Sequence, residues 1–361
     1  MKKILLTFNQ LNDSNGVARC AVAIANILAQ HKDLSITLRP LYRSDELTEK
    51  TIDDTVQVKP VFNFYFPGFA KILSMIPASW LYRWTFQKEH YDIEIAFQYG
   101  IATYIIGSRH AKDNIYRLAW MHCYDEELKY RQEYMNVDKV VCVSQCNKER
   151  LEIALGAAGH IDVCYNPIND REIVSMGEEQ IDLQPNETLQ FVTVGSLRKI
   201  KGFARLIDCI KKLQNNGHDC SLWIVGPGEE YENLESKIRT LGLETSVALV
   251  GGQSNPHKYV SKADVFVCSS YVEGYSTACT EAVMLGVPVI STPVSGAAEI
   301  IKTANCGLIS KDLETDSLYE IMEQTASHPQ EIERWKSILK ETRKNFSQSS
   351  RVDKLYKILG I

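Results

Sequence analysis

Short, nearly continuous apolar runs recur along this chain, separated by stretches of helical period. Lys3–Phe8, Leu34–Leu41, Asp92–Phe97, Ile115–Met121, Lys139–Val143 and His160–Tyr165 form a first set. Runs of this length between helical stretches read as strands, and Lys3–Phe8 in particular reads as a buried parallel strand. Between them the period changes. After Gly16, apolar positions at Val17, Val22, Ile24, Ile27 and Leu28 predict a helix, and Ser144 is placed to cap another.

A second set follows Leu189. LQFVTV, Leu222–Val225, Val247–Val250, Val265–Cys268, the run after Pro288 and Gly307–Ser310 read as strands. Phe203, Leu206, Ile207 and Ile210 line one face of an amphipathic helix. Residues 312–345 read as two more helices and 346–361 as a last one. Tyr165–Asp170, stiffened by Pro167, marks a crossing, and the acidic run 177–187 with Pro185 reads as linker. The expected fold class is therefore α/β, with two doubly wound parallel-sheet domains. The first takes 1–172 together with 346–361, and the second takes 173–345.

Residues 62–90 break the pattern. They are aromatic, interrupted by Pro67 and Pro77, and dotted with Lys71, Arg83 and Lys88. Two readings stay open. The stretch is a helix pair of the first core, or an interfacial element with Trp80, Tyr82 and Trp84 at headgroup depth.

Composition narrows the function. At 361 residues with a net charge of −5, the chain has room for two domains and little attraction for nucleic acid. No run of eighteen apolar residues exists, and the apolar start after Met1-Lys-Lys turns polar too soon for a signal peptide. Ten scattered cysteines without a C-x-x-C suggest buried, reduced thiols and a cytoplasmic setting.

The chemistry concentrates in 264–292. A strand (Val265–Cys268) enters a loop, the loop opens a helix, and Gly286 with Pro288 ends that helix before the next strand. A strand–loop–helix step leaves unpaired N–H groups where the helix dipole favours anions. Gly274 lets the backbone come close, and Ser276 and Thr277 add hydroxyls. Glu281 shares a helix face with Thr277 at i, i+4. Such a seat suits a phosphate with a carboxylate one turn behind it.

The stretch Glu273-Gly-Tyr-Ser-Thr-Ala-Cys-Thr-Glu281 resembles the Glu-x7-Glu donor signature of retaining glycosyltransferases of family 4, which have the GT-B fold. The resemblance implies two domains facing across a cleft, with a nucleotide diphosphate sugar on the second. It assigns the diphosphate to Gly274, Tyr275, Ser276 and Thr277, the ribose to Glu281, and the reacting sugar to Glu273. Tyr275-Ser276 stands where the family more often has Phe-Gly. Lys201, before Gly202, matches the family's diphosphate lysine. The family arginine falls on Ser196, with Arg198 two residues on.

The resemblance further implies that Val250 and Gly252 border the base and that Gly16 approaches donor phosphate beside Asn15. His122 is implied to contact the donor sugar; its place at a strand end independently faces it toward the ligand crevice of an open α/β sheet. Ser295–Glu299 resembles the family's Gly-Gly-x-x-Glu turn.

The expected function is retaining glycosyl transfer from a nucleotide diphosphate sugar, UDP-sugar being favoured. The acceptor is expected to be a saccharide or lipid-linked, in bacterial surface polysaccharide synthesis. The site is cytoplasmic or at the inner membrane face. No cofactor is expected, and with no Asp-x-Asp in the chain no metal is expected either. Gly226-Pro-Gly228 lacks the third glycine of a dinucleotide loop, Tyr231 standing there, which argues against a dehydrogenase. A GT-B epimerase or a non-catalytic sugar-nucleotide-binding protein is the alternative.

Overall fold

The structure, a computed structural model, describes residues 1–11, 16–42, 51–108, 114–124, 126–157, 159–183 and 188–361. It divides into two compact units, Met1–Ile168 with Arg351–Ile361, and Asn169–Ser350. The sequence reading put its boundaries after 172 and 345. Asn15 of the first loop, and residues 184–187 of the linker reading, lie outside the described residues.

The first unit is built on a seven-stranded sheet. Its strands are β1 (Lys2–Gln10), β2 (Leu34–Tyr42), β3 (Gln57–Val58), β4 (Ile93–Ala96), β5 (Tyr116–Met121), β6 (Lys139–Cys142) and β7 (Ile161–Val163). All pairs are parallel, in the order β3-β2-β1-β4-β5-β6-β7. The apolar runs are buried as expected: Ile4, Leu5 and Leu6 have no exposure. The chain winds outward from β1 through β3, then returns to β4 on the other side of β1. Ligand sites of open parallel sheets form past the carboxyl ends of the two strands at such a reversal.

The aromatic stretch resolves into helices Phe69–Leu73 and Ala78–Thr85. Leu81 and Tyr82 face the core, while Trp80 and Trp84 point out at 66 % and 61 % exposure. Trp80 and Trp84 are one turn apart, and Tyr82 lies on the opposite face. Tyr82 is therefore not an interfacial residue. Its hydroxyl donates to Glu94 Oε1 at 2.7 Å and accepts from Arg117 Nη2 at 3.1 Å, and Arg117 Nε pairs with Glu94 Oε2 at 3.0 Å. A buried ion pair is tolerable only when its remaining donors and acceptors are satisfied, which Tyr82 helps to do. Burial and the Glu94 carboxylate hold the Tyr82 hydroxyl well above its ordinary pKa.

The last helix, Gln348–Leu359, joins this unit from Arg351, and the unit runs on to Ile361. Arg351 Nη1 donates to Asn166 O at 2.7 Å, and Lys354 pairs with Asp162 at 3.0 Å.

The second unit has six parallel strands: β8 (Leu189–Val194), β9 (Cys220–Val225), β10 (Val247–Gly251), β11 (Val265–Cys268), β12 (Val289–Ser291) and β13 (Gly307–Ile309). Their order is β10-β9-β8-β11-β12-β13, so the reversal lies between β8 and β11. The loops leaving these two strands hold the site residues. Asn169 caps helix Asp170–Gly177, which ends where the linker reading begins. Among the described residues, no helix is long and apolar enough to cross a membrane.

Candidate functional site

Glycine backbones set the floor of the second unit's site. Gly226 and Gly228 lie against the loop after β8 so closely that a Cβ would fall 2.0 Å from Gly195 O and 2.5 Å from Leu197 N. Leu197 N–H donates to Pro227 O at 2.8 Å. Gly226-Pro-Gly228 is thus a backbone clamp, which is why its pattern departs from a dinucleotide loop. Gly202, at φ +69°, presses on the second loop, where a Cβ would sit 2.1 Å from Ser269 O.

Further contacts stitch the two loops together. Tyr271 N–H donates to Ile200 O at 2.8 Å, and Ser269 Oγ donates to Lys201 O at 2.8 Å. Buried Arg205 donates through Nε to Ser269 O at 2.9 Å and through Nη2 to Ser270 O at 2.9 Å. Its Nη1 reaches Leu313 O, and its guanidinium stacks 3.8 Å from the Tyr271 ring centroid. Burial pulls the Arg205 pKa down, without taking it out of the range in which guanidinium stays charged.

This stitching brings Lys201 and Glu273 together. Lys201 Nζ pairs with Glu273 Oε1 at 2.6 Å, and Ser270 Oγ donates to the same oxygen at 2.6 Å. Both side chains are largely buried, at 26 % and 14 % exposure. The sequence named each residue but not their contact.

Helix Thr277–Met284 begins directly after this loop. Ser276 is its cap, and its hydroxyl accepts from Cys279 N–H at 3.3 Å. The expected amide cluster is therefore smaller than a bare first turn, because one N–H is taken by the protein. The N–H groups of Thr277 and Ala278 meet no acceptor among the described residues. Tyr275 packs under the Ser295–Glu299 turn. Gly296, at φ +79°, would place a Cβ 2.7 Å from the Tyr275 ring. Beneath the loop, buried Cys268 and Cys279 share a hydrogen bond, which pulls the Cys268 thiol down and pushes the Cys279 thiol up.

Glu281 lies one turn behind Thr277 on the same face, 20 % exposed, with His257 Nδ1 3.9 Å away. His257 was not singled out from sequence. It opens the short helix His257–Val260, and its N–H is held by Asn255 Oδ1 at 3.1 Å. The Val250 carbonyl accepts from Gln253 Nε2 at 3.1 Å, and Gly252 is exposed beside Pro227. Ser196 is exposed, and its carbonyl accepts from Arg198 N–H. Arg198 does not join Lys201. It lines a separate hollow of about 310 Å³ with Arg205, Glu230 and Tyr271.

In the first unit, Gly16 opens helix Gly16–Ala29 and is exposed. His122 follows β5, its ring 4.8 Å edge-on to Phe97. Its Nε2 is enclosed and unpartnered among the described residues. A hydrogen bond to the Phe97 backbone occupies the other nitrogen, and burial lowers the pKa to about 4. The imidazole is neutral at physiological pH, leaving Nε2 as an open acceptor.

A titration consequence follows. Between about pH 6.5 and 4 the unfolded chain takes a proton on this residue and the folded chain does not, so stability falls as pH falls through that window. Its slope is at most about 1.4 kcal/mol per pH unit. Denaturant titrations should show this slope reduced in His122→Gln; equal slopes would contradict an enclosed neutral ring.

Residues 177–350 match the family model "Glycosyl transferases group 1", nearly the whole second unit. The chain is 28 % identical over 288 residues to the lipopolysaccharide core biosynthesis glycosyltransferase LpsD of Rhizobium meliloti, covering 79 % of this chain and 77 % of that one. It is 31 % identical over 160 residues to an N-acetylgalactosaminyltransferase of Campylobacter jejuni that acts on a diphospho-undecaprenol-linked sugar. That match covers 44 % of this chain and 42 % of the relative. The crystal structure of Anabaena Alr3699/HepE in complex with UDP superposes with a TM-score of 0.74 at 18 % identity, covering all of both chains. At that identity the likeness speaks for the fold alone.

Proposed function

We propose that this chain, a glycosyltransferase with the GT-B fold, transfers a sugar with retention from a nucleotide diphosphate donor, UDP-sugar first, to a saccharide or lipid-linked acceptor. The observation that carries the reading is the Lys201–Glu273 pair, set at the strand-order reversal beside the start of helix Thr277–Met284. Family 4 is the assignment that the Glu273–Glu281 spacing favours.

The donor diphosphate rests on the Thr277 and Ala278 amides with the Thr277 hydroxyl, and Lys201 lies to its side. As the bond between sugar carbon and diphosphate oxygen breaks, negative charge grows on the departing oxygen. Fixed amide dipoles and an ammonium stabilise that charge without reorganising. Glu273 Oε1 is engaged by Lys201 and Ser270, and Oε2 remains to hold the sugar or its developing positive charge. Glu281 takes the ribose hydroxyls, with His257 beside it. Val250 and Gly252 border the base through backbone, with the Val250 carbonyl already sharing one lone pair with Gln253. His122 offers Nε2 to a sugar hydroxyl. Arg198 has no assigned role, since it lines a different hollow.

No step here needs a metal or cofactor. Donor hydrolysis without acceptor should be detectable for a UDP-sugar and unchanged by EDTA. Absence of hydrolysis with UDP-, GDP- and ADP-sugars alike, or its loss in EDTA, would contradict the reading.

Exposed Trp80, Trp84, Phe64 and Met75, with Lys71, Arg83 and Lys88 nearby in sequence, are read as a face for the membrane that carries a lipid-linked acceptor. Changing Trp80 and Trp84 together to Ser should cut co-sedimentation with anionic vesicles about tenfold. Unchanged co-sedimentation, or none in the wild type, would remove the membrane from the account.

A further inference from the structure

The first unit holds a hollow of about 610 Å³ that the donor chemistry leaves unused. It lies past the carboxyl ends of β1, β2 and β4, beside the reversal of strand order. Parallel α/β sheets bind their ligands at that place. Asn9 reaches it from β1, Tyr42 from β2 and Gln98 from just past β4. Lys71 and Tyr65 come from the aromatic stretch, and Lys129 from another wall.

The lining has a distinct chemistry. Asn9 N–H donates to Gln98 Oε1 at 3.0 Å, which fixes that amide and leaves its NH₂ as the donor end. Tyr42 and Tyr65 rings lie 4.8 Å apart, offering aromatic surface beside the amides. Amides next to aromatic faces suit a pyranose, which presents hydroxyls at its rim and C–H groups on its faces. Tyr42 is 4 % exposed, and its hydroxyl has no partner among the described residues. An enclosed hydroxyl left unpaired costs about 1–3 kcal/mol, so a ligand that meets it gains accordingly.

Charge narrows the ligand further. The described lining includes Lys71 and Lys129 and neither Asp nor Glu. Neither ammonium has an ion-pair partner among the described residues; Lys129 only approaches the Tyr130 ring, at 5.5 Å. Both lysines are exposed, and an anionic substituent would add a pairing to them that a neutral sugar does not.

We propose that this hollow is the acceptor subsite and that the acceptor is a saccharide bearing an anionic substituent, a phosphate or a carboxylate. The proposal rests on the chain's being a glycosyltransferase. It adds the class of acceptor and the residues that choose it: Lys71 and Lys129 for the charge, Tyr42 and Gln98 for hydroxyls.

The test is a ligand-observed NMR titration of the full chain with glucose, glucose 6-phosphate and glucuronate, in low and high salt. The two anionic sugars separate phosphate from carboxylate as the favoured substituent. At least one should bind about tenfold more tightly than glucose, and salt should erode the gain. The double variant Lys71→Gln, Lys129→Gln should lose that preference while keeping glucose binding. Tyr42→Phe should weaken all three sugars without lowering the melting temperature.

Equal affinity for neutral and anionic sugars would overturn the proposal. So would an unchanged preference in the double variant, or displacement of the anionic sugars by UDP. Titrating UDP into the same samples keeps the two readings apart. UDP binding with no anionic preference removes the acceptor subsite alone, whereas no UDP binding to the wild type removes the donor reading.

Discussion

Glu273→Gln lowers sugar transfer by about 10²- to 10³-fold, while UDP affinity stays within about threefold of wild type. The amide keeps the shape of the side chain and an oxygen for Ser270 Oγ to donate to, so the loop between β11 and helix Thr277–Met284 keeps its path. What is lost is the negative charge, which matters most when positive charge develops on the sugar. An interaction stronger in the transition state than in the ground state shows in kcat, not in donor binding. Lys201→Ala should behave differently, since it removes the ammonium facing the diphosphate and leaves the largely buried Glu273 carboxylate without its counter-charge. Both UDP affinity and kcat should fall, each about tenfold or more. Steady-state kinetics with UDP titrations separate the two patterns. Full activity in Glu273→Gln would end its assigned role.

The second large effect concerns stability. Arg205→Ala should cost about 3–5 kcal/mol and lower the melting temperature of the second unit by about 10 °C. The guanidinium serves the carbonyls of Ser269, Ser270 and Leu313, and it stacks on Tyr271. Truncation leaves the Ser269 carbonyl without this donor, a penalty of about 1–3 kcal/mol where water cannot reach it, while Ser270 O keeps the Thr292 hydroxyl at 2.6 Å. The rest of the loss is the buried packing and the stack on Tyr271. Arg205→Lys should recover only part of the loss, because one ammonium cannot reproduce the guanidinium fork. Since the same carbonyls border Lys201 and Glu273, saturating UDP should restore some of the lost melting temperature by binding only the folded form. A drop of under about 2 °C in thermal unfolding would show that other contacts hold the loops.

The sheets were legible because strands covered on both faces carry apolar cores: Val265–Cys268 is apolar throughout, Ile4–Leu6 is the buried centre of the first strand, and Leu34–Leu41 places Ile36, Leu38 and Leu41 inward. The stop at Gly286 was legible for a local reason: it takes φ +81°, which Pro288 then follows. The interfacial reading grouped Tyr82 with the two tryptophans because it followed composition and not period. Trp80 and Trp84 share a helix face that Tyr82 does not, and Glu94 and Arg117 draw its hydroxyl inward.

Other parts of the site carried no local signal. Arg205 sits in an amphipathic helix, where an arginine usually faces water. Its partners Ser269 and Leu313 lie 64 and 108 residues away in the chain. Ser276 was named from sequence only as a hydroxyl donor; it also caps the helix by accepting from the Cys279 amide, which leaves its O–H to donate. His257 reaches Glu281 only because Asn255 anchors the turn before it.

The central claim is that a donor diphosphate lies over the Thr277 and Ala278 amides with the Lys201 ammonium beside it. Crystals of the full chain soaked with UDP test it most directly. Density for the two phosphates within hydrogen-bond distance of those amides and of Lys201 Nζ, with ribose at Glu281, is the predicted result. Phosphates elsewhere, or a Lys201–Glu273 pair unaltered by UDP bound at another place, would contradict it.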